Sequence, residues 1–128
     1  MRYHFSRVHD CLRAEMIGRE TVEETQDFIA AVADEARRAA TPRILVCVRR
    51  SRPIFRVEQY RISEQFRLLA GNPGVRVALV ADKDELRAAH GYIELLAHQQ
   101  GASVRAFRDE AAALDWLKAR ELQSQEKR

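Results

Sequence analysis

The chain has few cysteines and no long hydrophobic run, and each absence narrows the class of protein. Among its 128 residues only Cys11 and Cys47 are cysteines, too few for a disulfide framework and outside any zinc-binding spacing. The purely apolar stretches, such as Ile44 to Val48, are far too short to span a membrane. The first ten residues, MRYHFSRVHD, lack the apolar centre of a signal peptide. We therefore expect a cytoplasmic protein without a membrane span.

Motifs for catalysis and for phosphate cradling are also missing. The sequence contains no GxSxG nucleophile elbow, no HExxH pair, no GxxxxGK[ST] loop and no GxGxxG fingerprint. His90 and His98 lie about 12 Å apart along a predicted helix, so they cannot share one metal ion. His90 also shares the apolar face of that helix and is expected to be a packed side chain. We expect no metal, no cofactor and no enzymatic activity.

Charge is small overall but unevenly distributed. The formal net charge is +3 at pH 7, which does not favour a nucleic-acid partner. Residues 19–35 carry six acids against one arginine, whereas residues 37–67 carry nine arginines against two glutamates. Guanidinium groups suit carboxylates and phosphates, so the second segment fits an acidic partner. Two solvated faces of opposite sign explain the same pattern, and the sequence leaves both interpretations open.

Hydrophobic periodicity predicts a single α/β domain. Two alternating strands, Tyr3–Val8 and Cys11–Ile17, form a predicted hairpin, and a capping box at Thr21 and Glu24 opens a helix that ends before Pro42. The later predicted elements are a strand at Arg43–Val48, a helix at about Val57–Ala70, a strand at Val75–Ala81, a helix capped by Asp82 or Asp84 and ended by Gly101, a strand at Ser103–Phe107 and a helix capped by Asp109. This order predicts a mixed sheet with parallel crossovers over residues 1–120, followed by a charged tail at 121–128. Exposed strand edges favour a homodimer.

The loop after the central predicted strand is the candidate functional site. Ligands of open α/β sheets collect beyond the carboxyl ends of strands, and the loop VRRSRPIF, Val48–Phe55, follows such an end. The candidate anion- or partner-binding residues are Arg49, Arg50, Ser51 and Arg52. Three guanidinium groups around one hydroxyl can bind a phosphate or a carboxylate, whereas the alternative is a solvated basic loop. Asp82 and Asp84 follow the next strand, and if they pair with these arginines, the pairing would cancel the site.

Several segments resemble the small bacterial SpoIIAA-like proteins of the STAS superfamily. The segments that carry the resemblance are LRAEMIGRETVEE, RILVCVRRS, VRVALVAD and GASVRAFRDEAAALDWL, spread over residues 3–119. The resemblance implies a mixed sheet with helices packed on it, no catalytic machinery, and a function in binding a protein partner or a small ligand. Its relation to lipid-carrying domains implies, as the alternative, a carrier for an apolar or lipid-like ligand, although this chain lacks the extra helices of such carriers.

The chain lacks the phosphorylation motif that is found in the family it resembles. In anti-sigma-factor antagonists, the loop after the central strand carries a phosphorylatable serine in an Asp-Ser-x-Gly type of motif. Here Cys47 stands where the family commonly has aspartate, and Ser51 lies in that region without the motif. The resemblance therefore does not carry a phosphorylation switch over to Ser51.

Overall fold

The computed structural model describes residues 1–52, 74–99 and 101–118, which form a five-stranded sheet and three helices. The strands are β1 (Arg2–Val8), β2 (Cys11–Ile17), β3 (Arg43–Arg49), β4 (Arg76–Ala81) and β5 (Val104–Phe107), and the helices are α1 (Val22–Ala39), α2 (Asp84–Gln99) and α3 (Glu110–Lys118). The strand order follows the chain, with β1 antiparallel to β2 and every later pair parallel. The predicted α/β class is confirmed. The helix predicted at about Val57–Ala70 and the tail at 121–128 lie outside the described residues.

The predicted N-terminal hairpin forms around a two-residue turn. His9 and Asp10 have φ values of 51° and 66°. A two-residue type I′ hairpin turn requires this left-handed conformation at both positions. The register then pairs Val8 with Cys11 at the turn and Arg2 with Ile17 at the far end. This pairing leaves β1 at one edge of the sheet.

The start of α1, the end of α2 and the start of α3 follow the sequence signals, whereas Asp84, one of the two residues predicted to cap α2, is itself the first residue of that helix. Thr21 Oγ1 accepts a hydrogen bond from Glu24 N at 3.2 Å, and Glu24 Oε1 accepts one from Thr21 N at 3.1 Å, so the predicted capping box is confirmed. Gly101 follows α2 with a φ of 79°, as a terminating glycine does. Asp109 Oδ1 accepts from Ala112 N at 2.8 Å and caps α3. None of the described helices is both long and apolar enough to cross a membrane.

Helices cover both faces of the sheet. On the first face, α1 and α2 pack on alternate residues of the strands, and the buried side chains include Leu12, Met16, Phe28, Ile29, Val32, Ile44, Val46, Val48, Leu79, Leu86 and Ile93. On the second face, α3 packs through Ala113 and Leu117 against Leu45, Cys47, Ala78 and Val80. Because successive strand residues point to opposite faces, burial on both sides explains the continuous apolar run of β3. Trp116 of α3 is only half-buried and packs on Phe107 with ring centroids 5.5 Å apart.

Candidate functional site

An open pocket lies at the carboxyl ends of β3 and β4, beside the loop between β5 and α3. We call it the rim pocket; its volume is about 530 Å³, and its charged lining residues are Arg49, Arg50, Asp82, Arg87, Arg108, Asp109 and Glu110. Because β3 and β4 are adjacent and parallel, their carboxyl ends meet at this edge of the sheet. Both α2 and α3 begin just after strands that end here, so their positive dipole ends lie at the same edge.

The structure divides the four candidate residues into two pairs. Arg49 and Arg50 line the rim pocket. Ser51 is buried, and its Oγ accepts from Arg19 N at 3.1 Å and donates to Arg49 O at 2.9 Å. The backbone N of Arg52 donates to Arg19 O at 2.9 Å, and its carbonyl accepts from the Arg19 guanidinium. Ser51 and the Arg52 backbone therefore fasten the segment after β3 to the residues before α1.

Arg49 belongs to an ion-pair network on the second face, which we call the sheet-face cluster (His4, Arg13, Glu15, Arg49 and Glu110). Arg49 Nε lies 3.0 Å from Glu15 Oε2, and its Nη2 lies 3.4 Å from Glu110 Oε2. Arg13 donates two hydrogen bonds to the Glu110 carboxylate, from Nε at 2.9 Å and from Nη2 at 3.0 Å. Its Nη2 also lies 3.3 Å from Glu15 Oε2. His4 Nε2 is 3.0 Å from the second oxygen of Glu15. Both carboxylates of the cluster, Glu15 and Glu110, thus form ion pairs with arginine.

Electrostatics favours the charged forms of Arg13 and Glu110 and the neutral form of the neighbouring Cys47 thiol. The hydrogen bond from Arg13 lowers the pKa of Glu110 despite partial burial, and the Arg49 charge lowers it further. The same hydrogen bond raises the pKa of Arg13. Cys47 pairs with Glu15 in the sheet register, and burial raises the pKa of its thiol to about 12, against the opposing effect of Arg13. Cys47 is therefore a protonated thiol at neutral pH.

Two arginines of the rim pocket keep their guanidinium groups available. The side chains of Arg50 and Arg108 are exposed and form no hydrogen bond or ion pair with any residue that the structure describes. Arg87 is engaged, since its Nη1 lies 2.8 Å from Asp84 Oδ1 and its Nε donates to Ala81 O at 3.2 Å. Asp82 does not reach the Arg50 guanidinium but accepts from the Arg50 backbone N at 3.2 Å. The acids that follow β4 thus leave two guanidinium groups free for a ligand.

Sequence reasoning did not identify Arg108, Glu110 or the sheet-face cluster. Arg108 follows β5 directly, so the rule that ligands collect beyond strand ends, applied to a third strand, points to it. The Arg13–Glu110 pair joins residues 97 apart in the chain, and no local pattern predicts such a contact. Polar residues on β2 were consistent with an ordinary half-exposed strand.

Comparisons with other proteins leave the site to be interpreted from its geometry. The chain matches no protein-family model, and no curated protein is found to be similar to it. In the described parts of the chain, no group of three or more His, Cys, Asp or Glu side chains is arranged to hold a metal ion.

Proposed function

We propose that the protein is a non-catalytic, STAS-like binding module that holds a small anionic ligand in the rim pocket. The observation that carries this proposal is the pair of exposed arginines, Arg50 and Arg108, which line one open pocket and have no ion-pair partner within the described residues. A guanidinium fork can bind phosphate or carboxylate through two parallel hydrogen bonds. The mixed sheet with its antiparallel edge hairpin supports the STAS-like class.

The charged lining residues of the pocket are four arginines and three carboxylates, and this excess of one positive charge supports a singly charged anion. Arg49 is matched by Glu15 and Glu110, and Arg87 is matched by Asp84. The carboxylates of Asp82 and Asp109 are each engaged by a backbone N–H group. The starts of α2 and α3 add two positive dipole ends at the same edge. An acidic or phosphorylated side chain of a protein partner presents the same chemistry as a free phosphate.

The state of Cys47 supports binding rather than nucleophilic chemistry. It lines the rim pocket, yet burial raises its pKa to about 12, so the thiolate that attacks an electrophile is scarce at neutral pH. Within the described residues, the alternative function, an apolar carrier, has no comparable support. The enclosed cavity of the first-face core measures about 20 Å³, which is too small for an acyl chain.

Titration of isotope-labelled protein with inorganic phosphate at fixed ionic strength tests the proposal. We expect amide shifts at Arg50, Asp82 and Arg108 and, in Arg108→Gln, an affinity about tenfold weaker, because one charged hydrogen-bonding group is lost. Arg105→Gln is the matched control, since Arg105 is exposed on β5 but does not line the pocket. A parallel titration with acetate tells phosphate from carboxylate as the preferred group. Equal phosphate affinity in wild type and Arg108→Gln contradicts the proposal.

A further inference from the structure

A second, smaller cavity lies within the first-face core. We call it the interior cavity; it measures about 20 Å³ and is lined by Met16, Arg19, Thr25, Phe28, Ile29, Val46, Val48, Leu79, His90 and Ile93. It lies between α1, α2 and the sheet, on the face opposite the sheet-face cluster. A cavity of this volume has room for a water molecule or an ion of similar size.

Three buried polar atoms share this cavity without a hydrogen-bond partner. Arg19, Thr25 and His90 are 4%, 3% and 5% exposed. Within the part of the chain that the structure describes, Arg19 Nε, Thr25 Oγ1 and His90 Nδ1 each lack a partner. A buried polar group without a hydrogen bond costs about 1–3 kcal/mol. Three such groups around one cavity indicate an occupant that bonds to them together.

The charge of the cavity decides what kind of occupant fits. Burial lowers the pKa of Arg19 to about 10, so the guanidinium is still a cation at neutral pH. Its one hydrogen bond among the described residues goes to the carbonyl of Arg52, not to a carboxylate. Burial, with the nearby Arg19 charge, lowers the pKa of His90 to about 3, so the imidazole is neutral. The cavity therefore holds one positive charge without a contacting counterion from the described residues.

Glu24 does not supply that counterion directly. Its charge acts on Arg19 and favours the cationic form. However, its carboxylate closes the capping box of α1 and lies 3.4 Å from the N-terminal amine of Met1. Its oxygens are thus committed at the start of α1.

We infer that the interior cavity binds a small monovalent anion of about halide size as the counterion of Arg19. Arg19 Nε–H and the Thr25 hydroxyl donate to it, and neutral His90 donates in its Nδ1–H form. Water satisfies the same hydrogen bonds but leaves the buried charge uncompensated, and buried charges in proteins are normally paired. The apolar remainder of the lining excludes bulk water and strengthens the attraction between the anion and Arg19.

The same arginine also connects this cavity to the segment that follows β3. The backbone N of Arg19 donates to Ser51 Oγ, and its guanidinium donates to Arg52 O. An anion that fixes the Arg19 side chain therefore also fixes the anchor of the Ser51–Arg52 segment.

Urea unfolding at fixed ionic strength, with sodium bromide replacing sodium gluconate, tests this inference. Once bromide exceeds its Kd, each further tenfold increase should raise the folding equilibrium constant of the wild type by about tenfold. Thr25→Val keeps the side-chain shape but removes one donor, so the response should require about tenfold more bromide. Arg19→Met should abolish the response. Arg108→Gln is the control for the rim pocket and should respond like wild type.

Two results of the unfolding experiment overturn the inference. One is a wild-type unfolding equilibrium that does not depend on bromide, and the other is an equal response in Thr25→Val and wild type. Anomalous scattering from crystals grown with bromide tests directly whether the ion lies in the interior cavity. A peak at hydrogen-bonding distance from Arg19 Nε is expected, and an ordered water or an empty cavity at that position contradicts the inference.

Discussion

Arg13 and Arg19 are two arginines shielded from solvent on opposite faces of one sheet, and their surroundings are opposite. The Arg13 side chain is 15% exposed and contacts the carboxylates of Glu15 and Glu110. Arg19 is 4% exposed and bonds to a carbonyl. The pKa of Arg13 is raised, whereas burial lowers that of Arg19 to about 10. The second face neutralises its cation with its own acids, and the first face leaves that task to an ion from solution.

The comparison also explains which arginines of the rim pocket can bind a ligand. Glu15 and Glu110 hold Arg49 in place, so this residue contributes to the architecture of the rim. Arg50 and Arg108 line the same pocket but form no ion pair with those carboxylates, so their guanidinium groups are available to a ligand. A network that stabilises the sheet face thereby defines the binding residues beside it.

The largest predicted effect is the difference in unfolding free energy between two variants in which Arg13 or Arg19 is replaced with methionine. In halide-free buffer, we expect Arg13→Met to lower the free energy of unfolding by about 1.5–3 kcal/mol, because it removes two hydrogen bonds to Glu110, which keeps only its contact with Arg49. Arg19→Met should change it by less than about 1 kcal/mol or increase it, since an uncompensated buried cation disappears. Urea unfolding measures both values. Equal losses in the two variants contradict the assigned difference in compensation.

Acidification should destabilise the protein through His90. Its pKa is about 6.5 when unfolded and about 3 when folded, so the unfolded state binds the extra proton between these values. The free energy of unfolding should therefore fall by about 1.6 kcal/mol in total as pH drops from 6.5 to 5, with a slope that approaches about 1.4 kcal/mol per pH unit at the lower end. This window lies above the range in which the carboxylates with lowered pKa, Glu24 and Glu110, take up protons.

Unfolding of His90→Leu across the same window checks the assignment. The slope should flatten in this variant, whereas His98→Gln, which alters an exposed histidine of the same helix, should keep the wild-type slope. If His90→Leu and wild type lose stability equally between pH 6.5 and 5, the buried neutral state of His90 is wrong.

The smallest effects should come from the caps that begin the helices of the two regions. Thr21→Ala removes the cap of α1, which carries Thr25, and Asp109→Ala removes the cap of α3, which carries Glu110. Each should lower the free energy of unfolding by about 1 kcal/mol, and Thr21→Ser should retain most of it. Thermal and urea unfolding measure these losses, and an unchanged Thr21→Ala variant contradicts the capping role.

Local signals predicted the fold well because they act over a few residues. The His9–Asp10 turn, the Thr21 capping box and the buried run of β3 each depend on neighbours in the chain. The candidate site was predicted only in part, since long-range contacts determine it. Ser51 is buried by contacts with Arg19, 32 residues away, and Arg50 turns the chain with a φ of 49°. The ion pairing of Arg49 likewise depends on Glu110, which lies 61 residues further along the chain.

Arg50 and Arg52, which are separated only by Ser51, give the most direct test of the rim pocket. Both are exposed, but only Arg50 lines the pocket, and glutamine at position 52 leaves the backbone bonds to Arg19 intact. Phosphate titration should give about tenfold weaker binding for Arg50→Gln and wild-type binding for Arg52→Gln. Equal weakening in both variants, or none in either, contradicts the assignment of the rim pocket as the anion site.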